Sequence, residues 1–171
     1  MRDNEIDEST NNNMQKITTF LWFNHQAEAA AKFYVSLFKK SKINEITHYG
    51  DFFPDKKGQV MTVSFTLEGQ KFIALNGDSE FKFTPAISLM VLCKTQKEVD
   101  HLWKKLSTGG KEIQCGWVTD KFGVTWQVVP DGLLKLIGDK NPEKARRAMA
   151  AMCEQVKLDI AKIKRAHAGK K

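Results

Sequence analysis

Cysteine is scarce in this sequence: Cys93, Cys115 and Cys153 are the only three among 171 residues. An odd number at wide spacing argues against a disulfide framework or a zinc cluster, and suits reduced thiols in a cytoplasmic protein. Long apolar runs are missing too. The longest, such as Ala86 to Cys93, falls far short of the roughly 18–20 residues a spanning helix needs, so no membrane role is expected. The opening residues Met1 to Asn13 are polar and acidic, without the apolar stretch of a secretory signal, and are expected to be a disordered tail. No His-x-x-x-His spacing offers a helical metal chelate. The length leaves room for one ordinary domain rather than a cofactor domain joined to a substrate domain.

What the sequence does have is hydrophobic material, 42% of residues, and a formal net charge of +7. The charge is unevenly placed. Residues 1–13 carry −3, residues 14–139 carry +3 and residues 140–171 carry +7. The basic excess therefore belongs to a C-terminal segment. There Ala145, Met149, Met152, Val156, Ile160 and Ile163 recur at helical spacing, which predicts an amphipathic helix or two short ones with solvated lysines outside. Asn141-Pro142 makes a good helix start. The segment lacks the aromatic interleaving of single-strand binders and matches no DNA-binding motif, so nucleic acid is an unfavoured partner.

Between residues 14 and 139 the chain repeats itself. Thr19-Phe20-Leu21-Trp22-Phe23 lies over Ser88-Leu89-Met90-Val91-Leu92, and at the same shift of 69 Phe33, Tyr34 and Leu37 lie over Leu102, Trp103 and Leu106. Each half predicts a strand, a helix, then short strands joined by turns. The helices run from about Ala27 to Lys39 and from about Gln96 to Leu106, the second opened by a capping box of Thr95 and Glu98. Glu68-Gly69 predicts a tight hairpin turn, and Asp120-Lys121-Phe122-Gly123 a second one. The expected fold class is α+β. Two βαβββ modules, residues 16–80 and 84–130, form a curved mixed sheet around a pocket, followed by the C-terminal helical extension of residues 140–171.

The stretches Phe72-Ile73-Ala74-Leu75-Asn76-Gly77, Phe81-Lys82-Phe83-Thr84-Pro85-Ala86-Ile87-Ser88, Cys115-Gly116-Trp117 and Asp120-Lys121-Phe122-Gly123-Val124-Thr125-Trp126-Gln127 carry a more specific signal. With the element order, they resemble the vicinal-oxygen-chelate superfamily of glyoxalases and extradiol dioxygenases, and within it the PhnB-like family, over about residues 16–165. Some members of that family carry the label 3-demethylubiquinone 3-methyltransferase. Methyl transfer by the usual cofactor needs a nucleotide-binding α/β domain with a glycine-rich strand-to-helix loop, and the sequence has none.

The resemblance implies a divalent metal held between the halves by His or Glu from the first and last strand of each module, acting as Lewis acid and template. Carried over residue by residue, those positions fall at Thr19, Ser88, Ile73 and Gln127. None is an imidazole, carboxylate or thiolate, so no metal and no other cofactor is expected. Period-two alternation from Thr19 and Ser88 predicts one concave face with Leu21, Phe23, Ile73, Leu75, Met90, Leu92, Gln127 and Val129, joined by Asn76 and Trp117. That is an apolar cleft with a few polar groups, suited to a small organic molecule. Asp120 is a candidate general base, although its place beside Gly123 favours a turn role.

Three readings follow. The first is a metal-free small-molecule binding protein, a homodimer by analogy with the superfamily. The second is a metal-dependent enzyme of lyase, dioxygenase or isomerase type, its ligands supplied through a shifted register by His25, His48, Cys115 or Asp120. The third is a protein whose basic tail binds nucleic acid or an acidic partner.

Overall fold

The computed structural model describes residues 15–78 and 81–170; the expected disordered tail, residues 1–13, lies outside them. The described residues divide into two compact units, at the boundary between residues 78 and 81.

The first unit runs β1 (Thr19–Phe23), α1 (Ala27–Leu37), β2 (Lys42–His48), a 3₁₀ turn (Pro54–Lys56), β3 (Val60–Leu67) and β4 (Gln70–Asn76). Its four strands form one sheet in the order β1-β4-β3-β2, with β1 and β4 parallel and the other pairs antiparallel. Every second residue of β3 is large and apolar, so Val63, Phe65 and Leu67 share one face and are buried. Alanines at 27, 30 and 31 let α1 lie close on that face. Tyr34 packs on Phe65 with ring centroids 6.3 Å apart, and Phe65 stacks on Phe72 at 5.3 Å. Glu68-Gly69 turns the β3–β4 hairpin with φ of 45° and 89°, the left-handed pair of a type I′ turn.

The second unit repeats the plan with β5 (Leu89–Cys93), α2 (Gln96–Ser107), β6 (Lys111–Glu112), β7 (Trp117–Thr119) and β8 (Thr125–Pro130), in the order β5-β8-β7-β6. The periodicity of α2 works as expected: Val99, Leu102, Trp103 and Leu106 are buried. Thr95 accepts from the Glu98 N–H at 3.2 Å, while the Glu98 carboxylate reaches back to the N–H of Lys94 rather than to that of Thr95.

Three helices close this unit: α3 (Leu133–Ile137), α4 (Pro142–Cys153) and α5 (Ile160–His167). They gather Leu133, Ala148, Leu158 and Ile163 around Val129 of β8. The expected six-residue stripe is only partly realised. The chain leaves the helix after Cys153, and Met149 and Val156 are exposed while Ala148 and Leu158 are fully buried. Asn141 caps α4 through the Lys144 N–H, and Asp159 caps α5 through Ala161 and Lys162.

The repeat does not keep a single register. Residues Ala30, Tyr34 and Leu37 of α1 do correspond to Val99, Trp103 and Leu106 of α2 at a shift of 69. The strands are shifted by 70: β1 Thr19–Phe23 lies over β5 Leu89–Cys93, each ending in a buried residue. The pairings agree, because Phe20 faces Ile73 while Met90 faces Gln127. Asn24, His25 and Gln26 link strand to helix in the first unit, against Lys94 and Thr95 in the second. That one-residue difference in the link absorbs the change, and it moves the equivalent of Thr19 from Ser88 to Leu89.

Candidate functional site

A shift of one residue exchanges the two faces of a strand, so the corrected register decides which expected residues share a surface. In the first unit Thr19, Leu21 and Phe23 pair with Phe72, Ala74 and Asn76, and Phe72 belongs to the face packed under α1. Leu21 and Phe23 are buried there. They therefore do not share a face with Ile73 and Leu75, contrary to the expectation of one common concave surface. The open face of this sheet carries Phe20 and Trp22, opposite Ile73 and Leu75. Phe20 is 54% exposed and Trp22 40%. Gly77 seats the indole of Trp22, for a Cβ there would come within 2.3 Å of its Nε1.

Asn76 turns inward and has a local task. Its Oδ1 accepts from the N–H of Ala27 at 2.8 Å, capping α1 from another strand, and its Nδ2 donates to the Val60 carbonyl at 3.1 Å. It also borders a polar cavity of about 230 Å³ with His25, Glu28, Tyr49, Lys56 and Asp78. The Tyr49 hydroxyl donates there to the Asn76 carbonyl. Lys56 pairs with Asp78 at 2.5 Å, a hydrogen bond that holds the Asp78 carboxyl below its usual range and raises the Lys56 ammonium.

The second unit brings together more of what was expected. Met90 and Leu92 lie on the open face, 49% and 55% exposed, and Gln127 pairs with Met90 on one side and with Trp117 on the other. Ser88 stands just before β5, and the Gln127 Nε2 donates to its Oγ at 2.8 Å. Met90, Leu92, Trp117, Gln127 and Ser88 thus form one half-exposed strip, apolar except for a single hydrogen-bonded pair. Val129, the next residue on this face of β8, is buried against the C-terminal helices instead. A second polar cavity, about 460 Å³, lies beside the start of α2, bordered by Gln96, Asp100, Lys157, Asp159 and Lys162. It touches none of the expected site residues.

The candidate base Asp120 is a structural anchor. Its buried carboxylate accepts from the N–H groups of Phe122 (2.8 Å) and Val124 (3.1 Å) and from the indole of Trp126 (2.8 Å), which ties the β7–β8 hairpin together. No three His, Cys, Asp or Glu side chains converge among the described residues. Glu45 and His48 stand three apart on β2, opposite Ser64 and Val60, with a register irregularity between Thr47 and His48, but no third donor joins them among the described residues. Glu98 and His101 stand three apart on α2, but Glu98 is committed to the helix cap. His25, His48 and His101 are exposed, and His167 is paired with Asp139 at 2.8 Å. With Thr19 turned toward α1, the open-face residue beside it is Phe20, which has no donor atom. The donor set of a divalent metal is not met by Ser88, Ile73 and Gln127.

Phe20 and Trp22 are the open-face residues of β1 that the alternation from Thr19 turned away from the cleft. Their signal was present, since Phe20 and Met90 precede the buried ends of their strands by equal steps, but it depended on the one-residue difference between the links.

Among known proteins, residues 15–129 match the family model described as 3-demethylubiquinone-9 3-methyltransferase. The PhnB protein from Bacillus cereus is 41% identical over 68% of this chain and 99% of its own, with a TM-score of 0.63. A protein from Staphylococcus aureus is 39% identical over 64% of this chain and 91% of its own, with a TM-score of 0.30. Protein PA1353 from Pseudomonas aeruginosa shares the fold, with a TM-score of 0.54, at 19% identity over 64% of this chain and 92% of its own. No curated protein matches at a significant level. With two four-stranded sheets of identical strand order, and with a family match that spans most of both units, this chain belongs to the PhnB-like family of the vicinal-oxygen-chelate superfamily.

Proposed function

We propose that this PhnB-like protein is a metal-free binder of small organic molecules, which it holds on the open face of the second unit. The observation that carries the reading is the Gln127–Ser88 hydrogen bond of 2.8 Å set in an exposed apolar strip with Met90 and Leu92. In that arrangement the Ser88 O–H and the Gln127 carbonyl oxygen remain for a ligand's polar group, while the strip and Trp117 cover its apolar body. Few polar groups at fixed positions on an apolar surface is the usual composition of a small-molecule site. The donor chemistry at the superfamily's metal positions supports the metal-free form of this reading. Residues 14–139 act as the binding domain and residues 140–171 as a basic helical extension, in a cytoplasmic homodimer. Several charges of that extension are engaged within the chain: Arg147 donates to the carbonyls of Ala166 and His167, and Lys157 pairs with Asp100. This weighs against nucleic acid as its partner.

The test is titration with 1-anilinonaphthalene-8-sulfonate, an aromatic amphiphile, followed by its fluorescence. Saturable binding that weakens about tenfold or more in Gln127→Leu and in Ser88→Leu is expected. Unchanged binding in both variants would place the ligand elsewhere. Parallel titration of chelator-treated protein with Zn²⁺, Ni²⁺ and Mn²⁺ is expected to give no stoichiometric uptake; uptake at micromolar affinity would transfer the weight to a metal-dependent enzyme.

A further inference from the structure

The three cysteines, far apart in sequence, occupy three different environments: Cys93 is buried, Cys115 half-buried and Cys153 exposed. Cys93 sits at the end of β5 with 1% of its surface accessible, and burial pushes its thiol up to about 12, so it is inert at neutral pH. The other two meet. Cys153 ends α4, and Cys115 lies in the link that enters β7. The two segments are joined by backbone and side-chain bonds: Gln114 Nε2 donates to the Cys153 carbonyl at 2.7 Å, and the N–H groups of Cys115 and Gly116 donate to the carbonyls of Gln155 and Val156 at 2.8 Å each. Between these anchors the Cys115 thiol is within hydrogen-bonding reach of the Cys153 thiol.

The backbone at Cys115 is itself unusual. Its φ is +63°, in the left-handed region that side-chain-bearing residues rarely adopt. Gly116 follows with φ of +80°. The pair of left-handed residues is what turns both N–H groups onto the α4–α5 link. Among non-glycine residues asparagine or aspartate adopts this conformation most readily, yet a thiol stands here, held against a second one.

We propose that Cys115 and Cys153 form a reversible intramolecular disulfide, an oxidative modification site that ties the entry of β7 to the end of α4. The oxidant is a peroxide. The exposed Cys153, as thiolate, attacks one peroxide oxygen; the O–O bond breaks, water leaves after protonation, and Cys153 becomes a sulfenic acid. The Cys115 sulfur then attacks that sulfur, the S–O bond breaks, a second water leaves and the S–S bond forms. Two thiols lose two electrons and two protons in total, and the peroxide is reduced to two waters. A dithiol reductant reverses the step by exchange through a mixed disulfide. The bridge closes a long loop containing β7, β8, α3 and α4, and it pins the residue before Gly116-Trp117, so it also restrains one edge of the proposed binding strip.

The experiment uses the full chain treated with hydrogen peroxide at low stoichiometry. The expected result is loss of two of the three titratable thiols under denaturing conditions, an intact mass lower by two hydrogens, and a peptide map joining Cys115 to Cys153 within one chain. Dithiothreitol restores all three thiols. Closing so long a loop raises Tm by roughly 5–10 °C in the oxidised protein. Cys153→Ser, at an exposed position, and Cys115→Ser each abolish the mass loss, whereas Cys93→Ser retains it. The proposal is overturned if peroxide carries Cys153 to its sulfinic acid while Cys115 stays a free thiol, or if the disulfide recovered joins Cys153 of two chains. Dye binding to the reduced protein is measured separately, so failure of either idea is distinguishable from failure of the other.

Discussion

The two units share a strand order but start their helices by different means. In the second unit the cap is local: Thr95 and Glu98, three residues apart, satisfy N–H groups at the start of α2. In the first unit Gln26 makes no side-chain cap, and the acceptor for the Ala27 N–H comes from Asn76, at the far end of β4. The longer link in the first unit goes with a helix start held from across the sheet. The lesson is that one architecture tolerates a purely local solution and a tertiary one to the same problem, four unpaired N–H groups at a helix end. A second contrast lies in the hairpins that lead to the last strands. The Glu68-Gly69 turn is exposed and has a left-handed backbone pair; the Glu68 N–H donates to the Ser41 hydroxyl and its carboxylate accepts from the Lys40 N–H, while the Asp120 loop is organised by a buried carboxylate.

The sharpest way to break this contrast is Asp120→Ala. It strands the N–H groups of Phe122 and Val124 and the Trp126 indole near a buried site, and a loss of about 3–5 kcal/mol is expected by urea unfolding. Next comes Asn76→Ala, which removes the long-range cap together with the bond to Val60. A loss of about 1.5–2.5 kcal/mol is expected, against about 1 kcal/mol for Thr95→Ala. Equal losses would mean that the two caps contribute alike and that the cross-sheet bond adds nothing.

One acid-sensitive carboxyl stands just before α4 in the second unit. Backbone hydrogen bonding from Asn141, then the bond with His167, lowers the Asp139 carboxyl below its ordinary range. A depressed carboxyl adds stability above the unfolded value of about 4 and loses it as pH falls through the lower folded value. Asp139→Asn is therefore expected to flatten the acid side of the stability profile below about pH 4 while changing little in its shape at neutral pH, as read by urea midpoints. The smallest effect belongs to the exposed pair of Lys157 and Asp100. Lys157→Ala should cost under about 1 kcal/mol and cost less in high salt.

Much of the fold was legible because its signals are short-range. The apolar spacing of Val99, Leu102, Trp103 and Leu106, the Thr95–Glu98 cap and the Glu68-Gly69 turn each lie within a few residues, where helical and extended periods are readable directly. The candidate site was less legible. Ser88, Met90, Trp117 and Gln127 come together on one strip, but Thr19, Leu21 and Phe23 were placed on the wrong face by a repeat read at 69 throughout. The identity of the residues was correct and the count between them was not. Asn76, expected on the concave surface, is drawn inward by the unpaired N–H of Ala27, a demand that the sequence around Asn76 does not display.

The sequence by itself determined the order of strands and helices, the duplication of that order, the hairpin turns and the family, since each rests on local conformational preference or on wording that survives in the strands. Tertiary structure decided which face of each strand is open, what caps α1, why Asp120 is unavailable as a base, and that Cys115 and Cys153 stand together. These depend on distances between remote segments, and one residue more or less in a link is enough to turn a side chain from the core to the open face.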